Sequence, residues 1–438
     1  MTAMTKFMQT EGVNYKMALV VGQGKAIMPT AYFGVCHGHI DGQKLESSAV
    51  SSQVDPWSRV DVGAKVVQYK PNESKVVLSN GREYSYKALV IAPGLDHRDD
   101  MIDGLQDLQE LPEEDNCFVH IFDNKYRCSK NYYHGWNHRN GDMLCYSPKA
   151  PYKGEGSDFW ALYYESFLRQ DQIHGLSSQS ARITYWTPNK WIYKFPYANE
   201  IALEECAKRG IDVNLGWELI KIEKNAAGEK VGTFKHVDTL QIKEHPFTHV
   251  NINPNSVPHQ ELVDSGIAGK NGMVDVCPYT LQHKRYDNIF AFGDCIDGET
   301  TRTQHAAHAQ TPIVKYNVQS FLEGKELSAV YNGYTYMPFM LSHSNMTCFQ
   351  HLWDYEPAAL NHWVPNYGQF SQQYFYYSIK GNMKETEKFA SFKKTHGPPH
   401  YHFSASYDPL DKNEYLLGKG VDVAALKGRN KDHHLIEA

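Results

Sequence analysis

Short apolar runs broken by turn signals recur along the chain, and their spacing predicts alternating strands and helices. Val66 to Leu78 reads as two short strands around the turn KPNES. SNGRE, Ser79 to Glu83, reads as a hairpin turn because of its Asn-Gly pair, and Tyr86 to Ala92 as the next strand. A second series begins at GDMLCYSP, Gly141 to Pro148, a strand leading into a loop and then a helix, DFWALYYESFLRQ. RITYWTP, Arg182 to Pro188, is a strand, and ANEIALEECAKRG, Ala198 to Gly210, a helix ended by glycine. IDVNLGWELIKIEK gives one or two strands with a bend at Gly216. Asn288 to Phe292 is an unbroken apolar run of the kind buried in a parallel sheet, and Thr300 to Lys325 reads as a helix. The alternation predicts an α/β fold with parallel sheets. Beyond Pro357 the pattern weakens into aromatic-rich and then charged sequence.

Composition narrows the function classes. A net charge of −6 over 438 residues leaves no basic footprint for nucleic acid. Eight cysteines without a CxxC pair argue against a zinc site or a disulfide framework. No run of 18 apolar residues is present, so no membrane-spanning segment is expected. The opening MTAMTKFMQTEGVNYK has the character of neither a secretory signal nor an arginine-rich transit peptide. HGPPHYHF, His396 to Phe403, carries three histidines, but its prolines favour a loop over a rigid metal-ligand cluster. The 29 tyrosines suit half-buried positions with one polar end in water.

The most particular string is TLQHKRYDNIFAFGDC, Thr280 to Cys295. Gly293 permits close backbone approach at the end of a strand, and Asp294 then stands at the carboxyl edge of the sheet, where open α/β folds bind ligands. The N-terminus of the following helix offers free N–H groups beside it. This string resembles the sulfide:quinone oxidoreductases, flavoproteins with two dinucleotide-binding-like domains. The resemblance extends through LVIAPGLD (Leu89 to Asp96) and YNGYTYMP (Tyr331 to Pro338), and spans Val60 to Pro357. It implies two Rossmann-like domains, the first truncated at its N-terminus, plus an irregular C-terminal extension. The implied boundaries are 1–110 with 285–330, then 111–284, then 331–438. It also implies that Gly94, Gly293, Asp294 and Arg302 would line a flavin if one is bound, with Arg302 at the position of a family lysine.

Three departures from the family pattern qualify that implication. LVVGQGKAIMPTAYFG, Leu19 to Gly34, supplies Gly22 and Gly24 of a GxGxxG loop, but Ile27 stands at the third glycine. Pro29 falls in the second turn of the helix that should follow, where an interior proline costs about 3 kcal/mol. Either this loop is damaged, or NYKMALVVGQGKA corresponds to a later family segment and the chain begins past the first strand–loop–helix–strand. Weak FAD affinity is expected either way. The two redox cysteines align to Gly154 and Met337, and a thioether cannot form a disulfide. Gln372 to Phe403 has polar residues all around a helical wheel, without the family's apolar membrane-binding face. The expectation is a non-catalytic structural subunit of a respiratory membrane complex. It would have no cofactor, no catalytic residue and no metal, protein partners, and a mitochondrial location associated with the inner membrane. The alternative is an active, divergent FAD-dependent oxidoreductase. A further alternative puts another small ligand in the flavin cavity beside Gly94, Asp294 and Arg302.

Overall fold

A computed structural model describes residues 16–22, 59–109, 117–119, 142–149, 182–253, 255–298, 302–340, 346–351 and 353. In the first unit, strand β1 (Ala18–Val21) lies parallel to β2 (Arg59–Val62). A three-stranded antiparallel meander follows: β3 (Val66–Lys70), β4 (Lys75–Leu78) and β5 (Glu83–Ser85). The predicted KPNES turn is a 3-10 turn, Pro71–Glu73, closed by Ser74 at φ 51°. The Asn-Gly turn is realised with Gly81 at φ +78°. The strand expected over Tyr86 to Ala92 is confined to β6, Leu89–Ile91.

β7 (Asp96–Arg98) and a short helix, α1 (Leu105–Gln109), lead out of this unit. The second unit is a five-stranded parallel sheet in the order β11-β10-β9-β15-β8. Its members are β8 (Cys117–Val119), β9 (Met143–Tyr146), β10 (Ile183–Thr187), β11 (Asp212–Leu215) and β15 (His249–Ile252). Every residue of β9 and β10 is buried, as in parallel strands covered on both faces. Helix α2 (Pro196–Lys208) starts on proline and runs out at Gly210, φ +66°. The bend expected at Gly216 (φ +79°) separates β11 from β12 (Trp217–Lys224). β12 continues into an antiparallel sheet with β13 (Lys230–His236) and β14 (Ile242–Phe247). Trp186 of β10 stacks on Phe234 of β13 at 4.0 Å between centroids, joining the two sheets in one core. The helix expected over DFWALYYESFLRQ lies outside the described residues.

After β15 the chain turns back. β16 (Asn255–Val257) pairs antiparallel with β7, and helix α3 (Gln260–Asp264) follows. β17 (Ile289–Ala291) then inserts parallel to β6, pairing Leu89 with Ile289, Val90 with Phe290 and Ile91 with Ala291. This is the return to the first unit that the sequence predicts. All three β17 residues are fully buried. Helix α4 (Gln304–Leu322) packs behind the pair through Ile313, Val314 and Val318. Leu262, Ile267, Val274, Val276 and Leu281 belong to the same core. Residues grouped by sequence with 111–284 thus pack with the first unit, which favours a boundary before Leu262. A hairpin of β18 (Thr335–Met340) and β19 (Met346–His351) completes the described structure. Residues beyond 353, including the expected extension, lie outside it.

The two units also meet where Asp103 bonds both ways with β12, its N–H to the Ile220 carbonyl and its carbonyl from the Ile222 N–H. Gly104 beside it has φ +76°, and a Cβ there would fall 2.1 Å from the Ile222 carbonyl oxygen. Gly81 has a similar φ but open space around it. Gly81→Ala is therefore expected to cost about 1 kcal/mol, for the left-handed backbone alone. Gly104→Ala is expected to cost about 3 kcal/mol or more, because backbone must also shift. Urea denaturation midpoints of the two variants measure the difference.

Candidate functional site

Parallel pairing brings the carboxyl ends of β6 and β17 to one sheet edge, and with them three of the predicted residues. Gly94 follows β6 with φ +80° and no atom near where a Cβ would stand. Gly293 follows β17 with φ +81° and leads to Asp294. The main chain of Gly94 lies close enough to the Cys295 sulfur to influence its proton. Arg302 precedes α4 and turns back on this edge. Its Nε donates to the Asp294 main-chain carbonyl at 3.1 Å and its Nη2 to the Ile296 carbonyl at 3.4 Å. The Arg302 guanidinium thus reaches Asp294 at its backbone carbonyl.

Two contributors were not predicted. Gln310 is buried, and its Oε1 accepts the Gly293 N–H at 2.8 Å. Thr303 caps α4, its Oγ1 accepting from Ala306 N at 3.0 Å and meeting the Thr335 hydroxyl at 2.8 Å. Thr303, Ala306 and Gln310 lie at i, i+3 and i+7, one face of the helix. That spacing is visible in the sequence, but which face meets the sheet edge is not. Gly293, Asp294, Ile296, Gly298, Arg302, Thr303, Ala306 and Gln310 enclose an open recess of about 210 Å³. Gly94 is not among the recess walls.

The group that the resemblance to the sulfide:quinone oxidoreductases implies at this edge is a flavin, and the recess offers it few free donors. Donors around it are spent internally: the Gly293 N–H on Gln310, the Ala306 N–H on Thr303, and two guanidinium nitrogens of Arg302 on carbonyls.

The described thiols are not built for nucleophilic work. Cys145, Cys206, Cys277 and Cys295 are free and buried. Burial pushes the Cys206 thiol up to about 12. Burial, then the neighbouring Asp294 carboxylate, pushes Cys295 up to about 12, and burial raises Cys145 as well. A thiol needs the opposite surroundings to act as a thiolate. The Cys295 Sγ points at the carbonyls of Phe292 and Ile91, at 3.4 and 3.7 Å. Met337 stands in β18 opposite Phe349, with Cys348 opposite Pro338 one step away. Gly154 and the histidines of 396–403 lie outside the described residues. Among the described residues no cluster of three metal-ligating side chains occurs, and no helix is long and apolar enough to cross a membrane.

No protein-family profile matches the chain. The mitochondrial sulfide:quinone oxidoreductase of Schizosaccharomyces pombe is 26% identical over 307 residues, covering 69% of this chain and 63% of that protein. The chain therefore spans less than two thirds of the length of that relative. Among solved structures, a chain of the Tetrahymena thermophila mitochondrial ATP synthase superposes with a TM-score of 0.80 at 23% identity, covering 91% of this chain and 94% of that one. The sulfide:quinone oxidoreductase of Aquifex aeolicus gives a TM-score of 0.65 at 13% identity, covering 95% and 92%. With its α/β architecture of two dinucleotide-domain-like units, the chain is a relative of the sulfide:quinone oxidoreductases.

Proposed function

We propose that this chain is a non-catalytic, mitochondrial member of the sulfide:quinone oxidoreductase lineage, serving as a structural subunit of an ATP-synthase-type complex of the inner membrane. One observation carries the reading. The likeness to the chain from the Tetrahymena assembly is closer in fold, TM-score 0.80, than the likeness to the Aquifex enzyme, 0.65, though both extend over nearly the whole chain. The chemistry supports it from the other side. Asp294 and Arg302 remain at the sheet edge, but Gln310 takes the Gly293 N–H there and Thr303 takes the Ala306 N–H of the helix start. The aligned cysteine positions hold Gly154 and Met337. In this reading Gly94, Gly293, Asp294 and Arg302 are vestiges of a flavin site that now support the fold, and no FAD is carried. The division into 1–110 with 285–330, 111–284 and 331–438 is proposed with one change: residues from Leu262 onward go to the first unit, because Leu262, Ile267, Val274, Val276 and Leu281 share its core. The competing reading, an FAD-dependent oxidoreductase, draws on the 26% identity to the S. pombe protein.

The two readings separate on flavin and on company. The chain purified from native mitochondrial membranes is expected to migrate with an ATP-synthase-sized complex and to release no flavin attributable to it after denaturation. One flavin per copy, with migration as a free protein, would establish the enzyme instead.

The thiols give an independent check. Iodoacetamide at pH 8 is expected to leave Cys145, Cys206, Cys277 and Cys295 unmodified in the native chain and to label all four after unfolding, read by peptide mass spectrometry. An unfolded cysteine loses its proton near pH 8.5, whereas folded Cys206 and Cys295 hold theirs to about 12. Above pH 8.5 the unfolded state therefore binds fewer protons than the folded one, so stability falls as pH rises toward 12. A urea midpoint that stays flat or rises between pH 8 and 10 would contradict this.

A further inference from the structure

The turn joining β13 to β14 carries apolar side chains where a solvated turn would carry polar ones. Leu240 and Ile242 are 62% and 57% exposed, more than any other large apolar side chain among the described residues. Leu240 also has φ +59°, a backbone region that side chains with a Cβ avoid. Leu281 has the same φ, but it is fully buried, and its N–H and C=O bond Cys277 and Ala291 at 2.8 and 3.0 Å. The core compensates Leu281. Leu240 has no comparable burial among the described residues.

The turn is nevertheless built to hold this shape. The Nδ1 of His236 accepts the N–H groups of Asp238 and Thr239 at 3.3 and 3.1 Å. Leu240 N donates to the His236 carbonyl and His236 N to the Gln241 carbonyl, both at 2.9 Å. Val237 N donates to Gly216 O at 2.9 Å. The imidazole stands edge-on to Trp217 at 5.0 Å, and a Cβ on Gly216 would come within 3.0 Å of its Nε2. A turn fixed from so many sides presents Leu240 in one orientation, which lowers the ordering cost of docking.

The surroundings identify the kind of partner. Asp238 pairs with Lys190 at 3.5 Å, Lys235 is the cross-strand neighbour of both Ile242 and Glu218, and Glu244 follows along β14. With Lys190, Lys235 and Lys243 set against Asp238, Glu218 and Glu244, a rim of both signs around an apolar centre matches a protein interface and lacks the basic excess by which a surface selects anionic lipid. We propose that the Leu240–Ile242 tip is an anchor that inserts into an apolar socket on a neighbouring protein subunit. The inference rests on the subunit reading above. Two side chains supply the centre of an interface, not its whole area.

The test uses the tagged full-length chain in mitochondria, with two variants. Leu240→Asp combined with Ile242→Asp is expected to keep its circular dichroism spectrum and thermal midpoint, and to fall about tenfold or more in the isolated assembly. Leu240→Gly is expected to raise the midpoint of the free chain by about 1–2 °C, because glycine adopts the positive φ without strain, while also weakening incorporation. Stability and assembly moving in opposite directions is the signature of strain held for docking. Wild-type incorporation of both variants would overturn the anchor and leave the subunit reading intact. Loss of binding to anionic vesicles, with assembly unchanged, would identify a membrane contact and overturn it too. A wild-type chain that enters no assembly would overturn the subunit reading, and the anchor with it.

Discussion

Docking of α4 against the β6–β17 pair is the constraint on which the first unit depends, and two buried amides hold it. Gln310 fixes the N-terminal half of the helix by accepting the Gly293 N–H where β17 ends. Asn317, fully buried, fixes the other half: its Nδ2 donates to the carbonyls of Thr280 and Ala329, at 2.9 and 2.8 Å, and its Oδ1 accepts Ala329 N at 3.1 Å. Each backbone group so paired would cost about 1–3 kcal/mol if buried alone. Hydrophobic packing of Ile313, Val314 and Val318 supplies the attraction. The amides set the register, because a one-residue slip would strand several buried polar groups together.

That arrangement satisfies the sheet edge from within the chain. In a site that depends on a cofactor, donors at the sheet edge point into the cavity and are satisfied only when it is filled. Here Gln310, Thr303 and Arg302 bond the edge from within the chain. The fold therefore does not require a bound group to satisfy those donors. The parallel strands behind the edge are held by their own ladder and by burial, with Ile289, Phe290 and Ala291 all inaccessible to solvent.

Much of this was legible in the sequence, and the reason is local. The runs in β9, β10 and β17, the turn at Gly81, the end of α2 at Gly210 and the bend at Gly216 each follow from a few neighbouring residues. The strand expected over Tyr86 to Ala92 shrinks to Leu89–Ile91 because only those residues find partners in β17, far along the chain. Gln310 was invisible for the same reason, since a glutamine within a helix usually faces water and its role here depends on where β17 ends. The packing of Leu262 to Leu281 with the first unit is likewise long-range. Leu240 and Leu281 escaped because side-chain identity does not encode a positive φ in leucine.

The same view accounts for the persistence of so particular a string between Thr280 and Cys295. Many of its residues have a structural partner that does not involve a ligand. Gln282 Nε2 donates to the Asp287 carbonyl at 2.7 Å, His283 meets the Ile267 carbonyl at 2.8 Å through Nε2, and its Nδ1 accepts Arg285 N at 3.0 Å and Tyr286 N at 3.1 Å. Asn288 bonds Ser74 at 2.9 Å, which ties the string to the meander. Cys295 accepts Val274 N at its carbonyl at 2.8 Å, and burial of its thiol makes it a small core residue. Gly293 needs its positive φ to turn off the strand, and Asp294 offers Arg302 a carbonyl. A residue pattern of this kind can thus be held in place by folding alone, and a recognisable motif is weaker evidence of catalysis than the partners its side chains have found.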